Sequence, residues 1–316
     1  MSSGSGSLAG GGSLASFREK LAVRCRLLNG IRKYFLSLDY LEVETPIRIP
    51  APALELHIHA IPSAGLFLRT SPELHMKRLL AAGYERIFQV GACFRKGESG
   101  RLHNPEYTML EWYRAGVDYE ATLQEAEQLL LSLCLDLNGA DHVDYLGQRI
   151  CFQRPWRRVS VAEAFIAHAG WDPVEHFDPD RFDVDLVERV EPALPLGVPT
   201  VLIDYPAGAG GLARRKPSDP RVVERWELYL GGIEIANAFS ELTDPVEQRS
   251  RFEQVAKAMR EGGAEAYPID ELFLSALESG MPESSGVALG VDRLAMIFGN
   301  CASIDEVLPF RTEIQG

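Results

Sequence analysis

The stretch "RWELYLGGIEIANAF", residues 225 to 239, constrains the fold more than any other part of the chain. Apolar and polar residues alternate on both sides of Gly231-Gly232, as in two strands joined by a two-residue hairpin loop. Such a loop pairs Leu230 with Ile233 and Tyr229 with Glu234, and it leaves Glu227 on the same face as Tyr229. Glu227 and Glu234 are therefore expected as diagonal neighbours, about 7–8 Å apart at the backbone. Carboxylates that close repel unless a cation lies between them, and oxygen ligands of this kind suit Mg²⁺ shared with substrate phosphates. A solvated acidic hairpin explains this segment, taken alone, equally well.

Other segments supply partners for that hairpin. Residues 17 to 38 carry apolar positions three and four apart, the spacing of an amphipathic helix. "YLEVETPIRI" follows as a β-rich stretch, broken by Pro46 in a way that suits an edge position. In "SPELHMKRLLAAG", Ser71 as N-cap, Pro72 at the first helical position and Gly83 beyond the end delimit a second helix. "RIFQVGACFR" is expected as a strand, residues 119–137 and 158–170 as helices, "VDYLGQRICF" as a short hairpin and "PTVLIDYPA" as a buried strand. Helical segments around 245–261 and 269–279 precede "SSGVALGVDRLAMIFG", a small-residue strand running into a helix. With no internal repeat and no linker between two cores, residues 17–316 predict one α+β domain, an antiparallel sheet flanked by helices. The first 16 residues are rich in Gly and Ser and are expected to form a flexible tail.

"FRKGESGRLHNPEYTMLEWYR", residues 94 to 114, crowds opposite charges beside aromatic rings. Alternation in its second half puts Tyr107, Met109, Glu111 and Tyr113 on one face and Thr108, Leu110 and Trp112 on the other. The second set suits a core. The first sets a carboxylate between phenols, which a core tolerates only when satisfied, so it suits a cavity for a cationic, hydrogen-bonding ligand.

Composition removes several classes. A formal charge of −13 opposes sequence-independent binding of nucleic acid. The densest basic cluster, Arg214–Arg215–Lys216, lies in a Gly/Pro-rich stretch expected to be a mobile solvated loop. Five dispersed cysteines without a Cys-x-x-Cys pair point to reduced intracellular thiols. His57 and His59 would share a face on a strand, but two histidines without further ligands make a poor metal site. No apolar run reaches membrane-span length, and no signal peptide opens the chain. The Gly-rich loops of P-loop and dinucleotide-binding folds are missing, so a bound nucleoside triphosphate would depend on arginines and Mg²⁺.

The segment 94–114 resembles motif 2 of the class II aminoacyl-tRNA synthetases, in their lysyl branch. "YFLSLDYLEVETPIRIPAPA" is similar to motif 1, "GVALGVDRLAMIFG" to motif 3, and "TSPELHMKRLL" and "ELYLGGIEIANAFSELTDP" to lysyl-branch segments between them. Some 16 residues stand where lysyl-tRNA synthetases carry an anticodon-binding domain, which resembles the truncated paralogues that lysylate elongation factor P. Ala288 stands where the synthetases have glycine, an exchange associated in those paralogues with preference for (R)-β-lysine over lysine.

The resemblance implies a two-step ATP-dependent ligase with ATP and Mg²⁺ as cofactors. Arg95 would bind the α-phosphate and substrate carboxylate, with adenine between Tyr107 and Arg293. Lys96, Gly97, Glu98, Asn104, Ile235 and Gly290 would complete the nucleotide site, and Glu227 and Glu234 would take Mg²⁺. Ser71, Pro72, Glu73, Glu111, Tyr113, Asn237, Glu241 and Ala288 would enclose the amino acid. The family usually has glutamate at position 97, where this chain has glycine, leaving Glu98 or backbone groups to read adenine. The implied partners are elongation factor P, lysine or (R)-β-lysine, and a second copy of the chain in a cytoplasmic homodimer; the acidic balance speaks against tRNA. A short enzyme acting on RNA, or a catalytically silent paralogue, are the alternatives.

Overall fold

The computed structural model describes residues 17–264 and 266–310; the expected tail over 1–16 lies outside them. Helix α1 (Phe17–Ser37) buries Leu27, Ile31 and Phe35, four residues apart, as its apolar spacing requires. Short strands β1 (Leu41–Glu42), β2 (Arg48–Ile49), β3 (Ile61–Ser63) and β4 (Leu66–Leu68) lead to α2 (Glu73–Ala81). Strands β5 (Arg86–Phe94) and β6 (Glu106–Ala115) then flank the charged loop, and α3 (Tyr119–Asn138) follows. Asp118 caps α3, its carboxylate accepting from the backbone N–H groups of Glu120 and Ala121 at 3.1 Å.

The hairpin β7 (His142–Tyr145) and β8 (Gln148–Cys151) precedes β9 (Arg157–Ser160), α4 (Val161–His168) and α5 (Pro179–Asp185). Strands β10 (Thr200–Pro206), β11 (Arg215–Lys216), β12 (Asp219–Leu230) and β13 (Ile233–Ser240) come next. Helices α6 (Pro245–Glu261) and α7 (Glu271–Glu278), strand β14 (Ser284–Gly290) and helix α8 (Val291–Gly299) complete the elements used below.

Among the described residues, nine strands form one sheet in the order β1-β5-β6-β14-β13-β12-β10-β9, with β11 beside β12. The central pairs are antiparallel, as expected, but both edge strands pair parallel, β1 with β5 and β9 with β10. The sheet is therefore mixed. Helices α1, α3 and α8 cover one face, where Phe35 stacks on Phe88 at 5.0 Å between ring centroids and packs on Trp112 at 5.2 Å. Each such fully buried side chain stabilises the fold by about 1.5–3 kcal/mol. Helices α2, α6 and α7 cluster over the other face with Tyr113, and α4 and α5 pack with β10 and β12 beside them.

Several expectations change. The stretch 157–160, expected in part as helix, is a strand because it pairs with β10 before Ser160 caps α4. Helix α2 begins one residue later than expected, with Pro72 as its cap position; Ser71 Oγ still accepts from the Glu73 N–H at 2.9 Å. The basic triplet is tied down: Arg214 pairs with Glu224 at 2.7 Å, Arg215 with Glu247 at 3.4 Å and Lys216 with Asp204 at 2.6 Å. His57 and His59 lie outside any strand, so the expected shared face does not form. No helix among the described residues is long and apolar enough to cross a membrane.

Candidate active site

The hairpin turns through Gly231 and Gly232, whose φ values of +56° and +78° are the pair that a two-residue type I′ turn demands. Leu230 pairs with Ile233 and Tyr229 with Glu234, as the loop predicts. A bulge follows: Leu228 pairs with Ala236 and Glu227 with Asn237, leaving Ile235 as the extra residue. The bulge lines up one cross-strand row, Glu111 on β6, Ala288 on β14, Asn237 on β13 and Glu227 on β12. The adjacent row is Tyr113, Gly286, Phe239 and Arg225. Residues two apart share a face, so both rows look away from the α1–α3–α8 core.

A cavity on this face brings together ten of the expected residues: Arg95, Glu98, Asn104, Tyr107, Glu234, Ile235, Asn237, Ala288, Gly290 and Arg293. Arg95 lies over the Tyr107 ring at 5.3 Å, and the Tyr107 hydroxyl donates to the Thr70 carbonyl at 2.8 Å. Arg293 donates to the backbone carbonyl of Glu234 at 2.8 Å and to its carboxylate at 3.0 Å. Glu98 points inward, 3.4 Å from Arg95 and 4.0 Å from His103. Lys96 and Gly97 do not line this cavity; Lys96 is held through its backbone N–H, which donates to the His59 carbonyl at 2.7 Å. Arg95 Nε and Asn104 Oδ1 are buried without a hydrogen-bond partner among the described residues. Buried polar atoms are ordinarily satisfied, so such atoms can take a ligand's polar groups without breaking an existing bond.

Beside this cavity, across from Ala288 on β14, is a cluster of buried carboxylates. Glu111, buried between strands, accepts from Ser71 Oγ at 2.6 Å and from the Tyr113 hydroxyl at 3.0 Å. Burial pushes its carboxyl up to about 8, and the neighbouring Glu73 charge works the same way. Glu73 sits in the first turn of α2, after Pro72, and Glu241 lies one residue beyond β13. Both pair with buried Lys77, Glu73 at 2.5 Å. Glu241 Oε1 has no hydrogen-bond partner among the described residues. Gly286 forms part of the floor. A β-carbon there would lie 2.1 Å from the Tyr113 ring and 2.7 Å from Glu241 Oε1, so only glycine lets both side chains approach.

Glu227 and Glu234 occupy one face but have separate partners. Glu227 accepts from Arg225 at 2.6 Å, Tyr205 at 2.6 Å and Tyr229 at 2.7 Å. Nearby Glu191 accepts from the Tyr229 hydroxyl at 3.1 Å. Burial first, then the charges of Glu227 and Glu234, push Glu191 up to about 7. These oxygen donors, with no nitrogen or sulfur ligand beside them, suit a hard divalent cation, although Arg225 and Arg293 already neutralise part of the charge of Glu227 and Glu234. Among the described residues no group of three or more His, Cys, Asp or Glu side chains could hold a metal by itself. A cation bound here would need further oxygens from a ligand.

The family described as tRNA synthetases class II (D, K and N) matches residues 14–313. The chain belongs to this family. It is 36% identical to the lysine–tRNA ligase of Anaeromyxobacter sp. (strain K), over 93% of this chain and 65% of that enzyme. It is 39% identical to the elongation factor P–(R)-beta-lysine ligase of Vibrio vulnificus (strain YJ016), over 92% of this chain and 95% of that protein. The ligase of the same description from Vibrio parahaemolyticus is 38% identical over 95% of its length. The chain thus spans 65% of the length of the lysine–tRNA ligase it matches.

Within this class II site, several side chains escaped the sequence reading, Glu191 and Tyr205 among them. Lys77 looks on paper like an ordinary surface partner of Glu73, four residues earlier on a helix. Arg225 is two residues from Glu227 and shares its face, a signal the alternation did contain. It donates to Asn237 at 3.0 Å as well as to Glu227. His103 meets Arg293 Nη2 at 2.6 Å; burial and that guanidinium hold its pKa below the usual histidine range, so its ring nitrogen accepts. Asp292 pairs with Arg24 and accepts from the Thr108 N–H at 2.8 Å, which fixes α8, and with it Arg293, against β6.

Proposed function

We propose that this chain activates lysine or (R)-β-lysine with ATP as an aminoacyl-adenylate and transfers the acyl group to a lysine side chain of elongation factor P. One observation carries the reading: the cross-strand row Glu111–Ala288–Asn237–Glu227 runs from a cluster of buried carboxylates to an arginine-lined cavity, which Ala288 and Asn237 line. The carboxylates suit the ammonium groups of a diamino acid, and the arginines suit phosphates. Relatives bearing the elongation factor P ligase description, matched over 95% of their length, support the choice of acceptor. Lysine–tRNA ligase relatives at 36% identity favour a second reading, transfer to tRNA.

In the first step the substrate carboxylate attacks the α-phosphorus and the bond to pyrophosphate breaks. Arg95 would hold the carboxylate and α-phosphate together, and Tyr107 and Arg293 would enclose adenine. Their contribution is positioning and charge stabilisation. Mg²⁺ held by Glu227 and Glu234 would neutralise phosphate charge. Glu111, Glu241 and Glu73 would hold the amino acid's ammonium groups, with Ser71 and Tyr113 fixing Glu111. Glu98 would serve adenine in place of the family's glutamate at position 97. Cytoplasmic placement and a homodimer built on the motif 1 helix and strand belong to the same proposal.

The deciding experiment incubates the chain with ATP, labelled lysine or (R)-β-lysine, and either elongation factor P or tRNA. Label on elongation factor P is the expected outcome; label on tRNA alone overturns the acceptor. Arg293→Ala should lower amino-acid-dependent ATP–pyrophosphate exchange by roughly 10²–10³ while leaving the circular dichroism spectrum intact. Near-normal exchange would mean Arg293 does not meet the nucleotide.

A further inference from the structure

Arg225 sits on β12 two residues before Glu227 and faces the site with it. All three nitrogens of its mostly buried guanidinium are engaged. Nε donates to Asn237 Oδ1 at 3.0 Å, Nη1 to the Ala209 carbonyl at 2.8 Å and Nη2 to Glu227 Oε1 at 2.6 Å. The guanidinium carbon lies 4.5 Å from the centre of the Tyr205 ring, and the Tyr205 and Tyr229 hydroxyls donate to the other oxygen of Glu227. An ammonium could not span these partners, whereas a rigid fork of donors takes them together.

The contact with Asn237 fixes more than a position. Asn237 lines the arginine-lined cavity and stands directly opposite Glu227 across β12 and β13. A guanidinium has donors and no acceptor, so only the amide oxygen of Asn237 can face it. The amide nitrogen, with its two donors, is then the end left for a ligand, and it has no hydrogen-bond partner among the described residues. Without the guanidinium, the facing cross-strand group is the Glu227 carboxylate, which would draw the amide's donors and turn its oxygen toward the cavity. Arg225 thus decides which end of the amide a ligand meets.

We infer that Arg225 is a positioning residue for the activation step: it holds the Asn237 amide with its N–H groups presented to the amino acid's carboxylate, an inference that rests on the amino-acid activation proposed above. Asn237 lies two strands from Glu111, about 9–10 Å at the backbone. A diamino acid with an ammonium group on Glu111 can therefore bring its carboxylate to Asn237, inside the cavity that Arg95 also lines. A reversed amide would set an oxygen against that carboxylate. The same guanidinium keeps Glu227 from competing for the amide, so one side chain orders both Glu227 and the carboxylate end of the amino-acid site.

The test titrates the chain calorimetrically with two ligands. One is lysine or (R)-β-lysine, whichever supports ATP–pyrophosphate exchange; the other is cadaverine, a diamine without the carboxylate. Arg225→Met should weaken the amino acid about 10–100-fold, the worth of a hydrogen bond to a charged group, and leave cadaverine within about twofold. Arg225→Lys keeps the charge without the fork and should show the same split, which serves if Arg225→Met does not fold. Asn237→Asp keeps an acceptor for Arg225 but replaces the donors with oxygen, so the amino acid should weaken at least as much while cadaverine does not. In an Asn237→Ala background, Arg225→Met should cost the amino acid less than about threefold, because the two side chains act as a unit. Equal weakening of both ligands by the Arg225 variants, unimpaired amino-acid binding in any folded single variant, or full additivity in the double variant would each overturn the inference. Absence of amino-acid binding and exchange in the unsubstituted chain would instead defeat the activation proposed above and this inference with it.

Discussion

Lys77 reaches from the first turns of α2 to two carboxylates, Glu73 on its own helix and Glu241 beyond β13, with its ammonium 5.0 Å from the Phe239 ring centre. Only 1% of it is exposed. Removing one member of a buried ion pair strands the other, at a cost of roughly 3–5 kcal/mol. Lys77→Met should therefore lower the unfolding free energy by about 3 kcal/mol at neutral pH. The loss should be smaller near pH 5, where the stranded carboxyls can take protons; denaturant titration at both pH values checks this. Glu111 makes a second prediction. Its folded pKa of about 8 lies above the ordinary 4.5, so the folded protein holds a proton that the unfolded chain releases. Stability of the ligand-free protein then falls as pH rises between those values. An amino-acid ammonium needs the ionised form, so lysine affinity should rise between about pH 6 and 8, with proton release. Calorimetry in buffers of different ionisation enthalpy measures that release, and proton uptake would contradict it. None of this was legible in composition: the sequence shows which residues are acids, while burial and the neighbouring charges decide which of them keep their protons.

At the scale of elements, the hairpin, helix α3, the α2 segment and the strand-to-helix passage at β14–α8 were legible because their signals are local. Paired glycines force a turn, Pro72 and Gly83 bracket the α2 segment, and alternation sets the faces. What was not legible depends on partners distant in sequence. The bulge at Ile235 shifts Glu227 from opposite Ala236 to opposite Asn237, and nothing in "GGIEIANAF" announces it. The strand at 157–160 exists because β10 lies beside it, and the parallel edges follow from neighbours that periodicity cannot see. The expected site residues from 71 to 293 came from a resemblance to ordered motifs, with alternation supplying the Glu111 face and hairpin geometry the acidic pair. Strand β14 allows an element-level test. Gly286→Ala places a methyl where the Tyr113 ring and Glu241 already are, so β14 must move against β6 or Tyr113 must turn out. Lysine-dependent exchange should fall at least about tenfold, with a loss of about 1–3 kcal/mol in stability, as for overpacked sites generally. Unchanged exchange would show that the floor can yield.

For the whole molecule, the arrangement separates two tasks across one sheet. The face under α1, α3 and α8 is mostly apolar and closely packed, whereas the opposite face combines apolar clusters with the charges of the candidate site. Around the motif 1 region, Leu36, Leu41 and Ile47 remain 54%, 51% and 45% exposed. Exposed apolar side chains close together in sequence suit a self-complementary two-fold contact. A dimer mass by light scattering is expected, with Leu36→Glu plus Leu41→Glu shifting it to the monomer; a monomeric unsubstituted chain would refute the assembly. The central strand of that sheet has a consequence of its own. Gly286, Ala288 and Gly290 put almost no atoms on the ligand side of β14, so the room available there is defined by subtraction. Natural variation along those three positions would then work like a depth gauge, with each methyl gained or lost changing which amino acid fits while the backbone stays where it is.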